Sequence, residues 1–118
     1  MLNRLLRGIA AETPKAPETD LASAVRAREA RSAQIVDVRE PEEWAEGHIP
    51  KAVHIPLGEL AARAAELDPD QPVIAVCRSG QRSLTAAEIL IAAGFADAKS
   101  LAGGMLDWAE TGEPVERG

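Results

Sequence analysis

The sequence predicts an α/β fold in which a central, mostly parallel sheet of about four to five strands carries helices on both faces. Short apolar runs recur along the chain, and the clearest of them, Val73-Ile74-Ala75-Val76, is apolar at four consecutive positions. A strand of that kind is buried on both faces, which is the habit of parallel sheets. Segments with helical character separate these runs, giving the strand–helix alternation from which such sheets are built. No internal repeat, low-complexity stretch or second domain is visible.

Taken in order, Met1–Ala11 places Leu2, Leu5, Leu6 and Ile9 at helical spacing, with Arg4 and Arg7 on other faces. Pro14 and Pro17 break that segment. Residues 1–17 are therefore expected to form a short helix and a proline-containing linker, and residues 18–118 the domain proper. The short helix has the character to dock on the domain, to fray, or to meet a membrane surface or a partner. Thr19 is the expected N-cap of a helix through about Ala30. Ile35–Val38 reads as a first strand, Pro41–Ala45 as a helical turn and Val53–Ile55 as a second strand. Leu57–Leu67 is helical and stops before Asp68-Pro69. Val73–Val76 is the next strand, and Ser83–Ala93 a helix with Leu84, Ala87 and Ile91 on its core face and Gly94 ending it. Ala98–Leu101 is a last short strand before a helical turn at Gly104–Ala109.

Length and composition narrow the function. A chain of 118 residues with 46% apolar content can bury one core. One cysteine leaves no intrachain disulfide framework, which fits a reducing compartment and a cytoplasmic location. No apolar run approaches the roughly 18 residues of a transmembrane helix, and Arg4 and Arg7 interrupt the N-terminal apolar stretch, which argues against a secretory signal. The net charge of −6 argues against nucleic acid as a partner. One Cys and two separated His offer no metal-ligand spacing, and no cofactor is expected.

The chemistry concentrates at Cys77-Arg78-Ser79-Gly80-Gln81-Arg82, which follows the Val73–Val76 strand and precedes a helix. A buried cysteine usually behaves as a small hydrophobe, but Cys77 lies just past the apolar run, at the carboxyl end of a strand, where open α/β sheets bind ligands. Loop N–H groups and the positive end of the following helix then face the sulfur. Such surroundings lower a thiol pKa from about 8.5 toward 7 or below. Cys77 is the candidate nucleophile; Arg78, Ser79, Gly80, Gln81, Arg82 and Ser83 are candidate substrate-binding residues, and Gly80 permits tight backbone curvature.

Four residues separate Cys77 from Arg82. Cysteine-dependent phosphatases resemble this loop but place five residues between their Cys and Arg; the shorter ring suits a terminal sulfur rather than a tetrahedral phosphate. This spacing resembles the rhodanese pattern, and the resemblance extends to Ile35–Trp44, Gly47–Pro56 and Leu101–Trp108. The four blocks together cover roughly residues 19–115. The resemblance implies a single-domain rhodanese: a sulfurtransferase taking a sulfane sulfur from a small anionic donor such as thiosulfate and passing it, through a persulfide on Cys77, to an external thiol, a thiol protein or cyanide. A persulfide carrier or adaptor loaded by a partner protein is the alternative, and a phosphatase or arsenate-reducing relative a lesser one. Arg78 is then expected to bind the donor's sulfonate, and Arg82 to add positive potential and hold the loop.

Other polar residues receive structural readings. Within the resembling signatures Asp37 and Arg39 tie loops together, with Arg39 expected to pair with a carboxylate such as Glu46. His48 is expected to be a hydrogen-bonded buried histidine rather than a base. His54 receives no role, and Trp44 and Trp108 are assigned to packing. Gly103-Gly104 is expected to serve backbone geometry near the site. Lys51 stands where the family usually has Gly, so the turn after Pro50 is expected to avoid a glycine-only conformation.

Overall fold

A computed structural model describes residues 16–118; the helix expected at Met1–Ala11 lies outside the described residues. In chain order the elements are β1 (Glu18–Thr19), α1 (Leu21–Ala30), β2 (Gln34–Asp37), α2 (Pro41–Glu46), β3 (Val53–His54), α3 (Leu57–Arg63), β4 (Val73–Val76), α4 (Gln81–Ala92), β5 (Ala98–Leu101) and α5 (Gly104–Glu110). A 3₁₀ turn at Ala64–Glu66 follows α3. The strands form one sheet in the order β1-β5-β4-β2-β3, and every pairing in it is parallel. This is the α/β fold with helices on both faces that the alternation of runs predicts. No helix among the described residues is long and apolar enough to cross a membrane.

The two-residue alternation of a strand sorts the core into two layers. Val36, Val73 and Ala75 pack with Leu60 of α3 and Ala86, Ala87 and Leu90 of α4. Ile35, Ile74 and Val76 face the other way, onto Ala24 of α1 and Met105 and Trp108 of α5. Val36, Ala75, Leu60, Leu90 and Trp108 are wholly excluded from solvent; each large aliphatic buried in this way contributes about 1.5–3 kcal/mol. The central strand β4 is buried at all four positions, as its unbroken apolar run requires.

Several boundaries differ from expectation for identifiable reasons. Thr19 is not a helix cap: it belongs to β1, which β5 recruits through Ser100 N–H to Pro17 O (2.9 Å) and Ala102 N–H to Thr19 O (3.0 Å). Asp20 caps α1 instead, its carboxylate accepting the Ser23 N–H at 2.8 Å. α4 begins two residues earlier than predicted, on Gly80, whose φ of 108° only glycine adopts at little cost. Ile91 is 43% exposed rather than on the core face; Ala86, Ala87 and Leu90 take that face. At the other end Gly94 (φ 101°) donates to Ile91 O, and Phe95 donates to Leu90 O while packing into the same core layer. That is the Schellman arrangement expected of a helix-ending glycine.

Lys51 also corrects an expectation. Its φ of 70° lies in the left-handed region, because the Ala52 N–H bonds to Ile49 O (3.1 Å) and closes a turn with Pro50 and Lys51 at its centre. Turns of that kind need positive φ at the third residue. A lysine held there costs about 1–2 kcal/mol relative to an ordinary conformation.

Candidate active site at the carboxyl end of the fourth strand

The chain leaves β2 toward the β3 edge and leaves β4 toward β5, on the opposite side. The order reverses between β2 and β4, so their carboxyl ends flank the crevice in which open α/β sheets place ligands. Two short segments emerge there: Val38-Arg39-Glu40 after β2, and Cys77-Arg78-Ser79-Gly80 after β4.

Cys77 is 1% exposed and its stem packs into the core layer beneath α4. Its sulfur, however, is surrounded by donors on the loop side. The N–H groups of Gly80 and Ser83 point at Sγ from 3.1 and 3.3 Å, and Ser83 Oγ lies 3.4 Å away. Burial is the largest single influence on the thiol and pushes its pKa up; the Ser83 hydroxyl and the amides of Ser83, Gly80 and Ser79 together outweigh it, and the net shift is downward. A buried sulfur can favour its charged form here because the Gly80 and Ser83 donors take the place of water around the charge.

Both flanks of the loop are fixed. On one side Ser83, in the first turn of α4, keeps its hydroxyl 2.7 Å from that of Ser100 in β5, and both serines are fully buried. On the other side the first turn of α5 donates to the loop's carbonyls, Met105 N–H to Cys77 O at 2.9 Å and Leu106 N–H to Arg78 O at 3.0 Å. A side chain at Gly104 would bring a carbon within 2.5 Å of both carbonyl oxygens, so close approach requires glycine there, and its φ of 55° favours glycine too.

The arginines of the loop divide. Arg78 is exposed, and its side chain has no hydrogen bond or ion pair among the described residues. Arg82, already inside α4, gives both terminal nitrogens to Glu43 of α2 at 2.8 and 2.9 Å. The Arg82 guanidinium holds the Glu43 carboxyl down at about 2. The bidentate bond thus straps α2 to the start of α4, and it survives until the pH falls from about 4.5 toward 2. Ser79 and Gln81 are exposed at the rim.

Asp37, Arg39 and His48 lie beside this loop rather than in it. Arg39 does not pair with Glu46. Its guanidinium grips Asp37, Nη2 to Oδ2 at 2.8 Å and Nε to Oδ1 at 3.0 Å, and also donates to Gly47 O at 2.7 Å. Asp37 sits two residues back at the end of β2 and is 1% exposed, so the nearest acceptor wins over an exposed glutamate. His48 is buried, its Nδ1 2.9 Å from Trp44 O. Trp44 stacks between His48 (3.5 Å between ring centroids) and His54 (4.7 Å), and His54 Nε2 lies 2.8 Å from Arg39 O. Sequence reasoning missed Ser100, Glu43 and the donors of α5. Only Ser100 carried a local signal: it is a polar residue sharing the inward face of β5 with Ala98.

Comparison with known proteins agrees with this architecture. The profile of the Rhodanese-like domain family matches residues 20–111. The chain is 40% identical over 112 residues to an HTH-type transcriptional regulator of Mycobacterium tuberculosis, covering 92% of this chain and 50% of that protein. It is 46% identical over 77 residues to YrkF of Bacillus subtilis, provisionally named a sulfur carrier protein, covering 65% of this chain and 42% of YrkF. The chain thus spans half or less of the length of these two relatives. It is also 38% identical over 81 residues to the thiosulfate sulfurtransferase GlpE of Pseudomonas syringae, covering 69% of this chain and 76% of GlpE. Among solved structures, the human single-domain sulfurtransferase TSTD1 superposes with a TM-score of 0.74 at 28% identity, covering 80% of this chain and 96% of that one. With the fold, the motif blocks and the matched profile in accord, the chain belongs to the rhodanese-like domain family.

Proposed function

We propose that this protein is a sulfurtransferase that moves a sulfane sulfur from thiosulfate, or another persulfide-type donor, to a thiol or cyanide acceptor through a persulfide on Cys77. One observation carries the reading: a buried sulfur that accepts N–H groups from Gly80 and Ser83 and lies beside the Ser83 hydroxyl. Those donors favour the thiolate, which is the nucleophilic form. In the first half-reaction the Cys77 thiolate attacks the outer sulfur of thiosulfate. The bond between the two donor sulfurs breaks, sulfite departs with the electron pair, and a persulfide anion remains on Cys77. In the second, an acceptor thiolate or cyanide attacks that outer sulfur and Cys77 leaves as thiolate. No general base takes part at the moment of attack, because the thiolate that these donors favour is itself the nucleophile.

Arg78, free at the rim, takes the sulfonate end of the donor, while Arg82 serves the loop through Glu43. With one cysteine in the sequence, no second thiol of the chain can resolve the persulfide. An external acceptor follows, and with it ping-pong kinetics.

The similarity to YrkF supports a second reading, in which the same thiol is a persulfide carrier loaded by a partner protein. Mass spectrometry after thiosulfate treatment separates the two. The enzyme reading expects a gain of about 32 Da on Cys77, one sulfur atom on a reactive thiol, and none in Cys77→Ser. Loading that occurs only with a partner desulfurase would favour the carrier, and no loading from either source would defeat both.

A further inference from the structure

The Gly80 N–H that bonds to Cys77 Sγ is reached from Cys77 through two peptide units whose carbonyls are held from outside the loop. A trans peptide is planar, with its N–H and C=O pointing in opposite directions. A partner that fixes the carbonyl therefore fixes the amide. Leu106 N–H bonds to Arg78 O at 3.0 Å, and the N–H of that same peptide unit is Ser79's, one of the amides that favour the Cys77 thiolate. Met105 N–H bonds to Cys77 O at 2.9 Å and orients the next unit, whose N–H is Arg78's. The first N–H groups of a helix have no partner inside it, so α5 can offer both without loss. Gly104 allows the approach, its missing side chain leaving room where a carbon would sit 2.5 Å from the two oxygens.

We propose that the first turn of α5 is a positioning element of the site: through the main-chain N–H groups of Met105 and Leu106 it sets the direction of the Cys77–Arg78 and Arg78–Ser79 peptides, the two units that carry the chain to the Gly80 amide bonded to the sulfur. This deepens the sulfurtransferase reading and rests on Cys77 as its working thiolate. Neither Met105 nor Leu106 touches the reacting sulfur, and neither side chain is invoked. Leu106 is 47% exposed, so its position can be varied without opening the core.

Proline at Leu106 removes the one N–H that holds Arg78 O and sets a ring carbon against that oxygen, in the first turn of a helix where no intrahelical N–H bond is lost. Leu106→Ala removes the side chain and keeps the N–H. The measurement is the pH midpoint of Cys77 alkylation by iodoacetamide, followed by mass with no sulfur donor present. Leu106→Pro is expected to raise the midpoint about one pH unit further than Leu106→Ala, a roughly tenfold loss of thiolate below it. Equal midpoints in the two variants overturn the proposal. Hydrogen exchange of the unmodified protein gives a second reading that no variant's folding can spoil. The Met105 and Leu106 amides are expected to exchange as slowly as paired amides of α4, and exchange at the rate of free amides overturns the proposal as well. A wild-type protein that takes no sulfur yet shows the Pro–Ala difference would sink the sulfurtransferase reading and leave the positioning role standing.

Discussion

Two segments leave the sheet side by side, one after β2 and one after β4, and they treat their polar groups in opposite ways. After β2, the Asp37 carboxylate and the Arg39 guanidinium consume one another, with Gly47 O taking the remaining contact. Charge meets charge, and both groups are buried. After β4, the sulfur faces only neutral dipoles, and the nearest arginines are aimed elsewhere: Arg82 at Glu43, Arg78 at solvent. The first arrangement satisfies its charges internally. The second holds a group ready to ionise with no counter-ion bonded to it, and an unpaired cation stands at its edge. In adjacent segments of similar polarity, the presence of an internal partner separates a structural pair from a reactive one.

The largest test of this contrast is to break the closed pair. Arg39→Ala leaves the Asp37 carboxylate buried and unpaired, which is expected to cost about 3–5 kcal/mol of stability in denaturant titration. A loss under 1 kcal/mol would show that the pair does not hold the β2 segment. Next is the open side. Arg78→Ala is expected to raise the KM for thiosulfate about tenfold, or about 1.4 kcal/mol, with the Cys77 alkylation midpoint unmoved; an unchanged KM would remove Arg78 from donor binding. The smallest effect belongs to the strap between the two segments. Glu43→Gln is expected to lower the thermal midpoint slightly at pH 7, as partly exposed ion pairs do. Because Glu43 is depressed to about 2, the wild-type pair adds stability above about pH 4.5 and loses it as pH falls toward 2, so the two proteins should converge in acid. A difference that persists at pH 2 would mean that the strap is not electrostatic.

The sequence shows some of this plainly and hides the rest for physical reasons. β4 and β5 are found at their predicted bounds, Val73–Val76 and Ala98–Leu101; for β4 the reason is that an unbroken apolar run between turn residues admits few other structures. β1 escapes notice: Glu18 and Thr19 join the sheet through backbone bonds to β5, which leave no mark on side-chain pattern. The start of α4 is misplaced because the signal is the left-handed backbone of Gly80, and a glycine in a loop has many explanations. The Cys–Arg spacing is legible since the chemistry is local. Its supports are not: Glu43 lies 39 residues from Arg82, and the donors of α5 are main-chain groups that every residue carries. The Asp37–Arg39 grip shows the same limit, since spacing two residues apart on a strand end gave no reason to prefer Asp37 over Glu46.

The bonds from Met105 and Leu106 to the β4 loop also bear on when the protein becomes dangerous to itself. An ionised cysteine in a half-folded chain is open to oxidants and to stray disulfides. Here, a chain whose α5 has not docked lacks the two bonds to the loop's carbonyls, although the Gly80 and Ser83 donors already lie upstream of Leu101. On the positioning role proposed for α5, the loop is fully held only once those bonds close, so the thiol reaches its full reactivity with the finished fold.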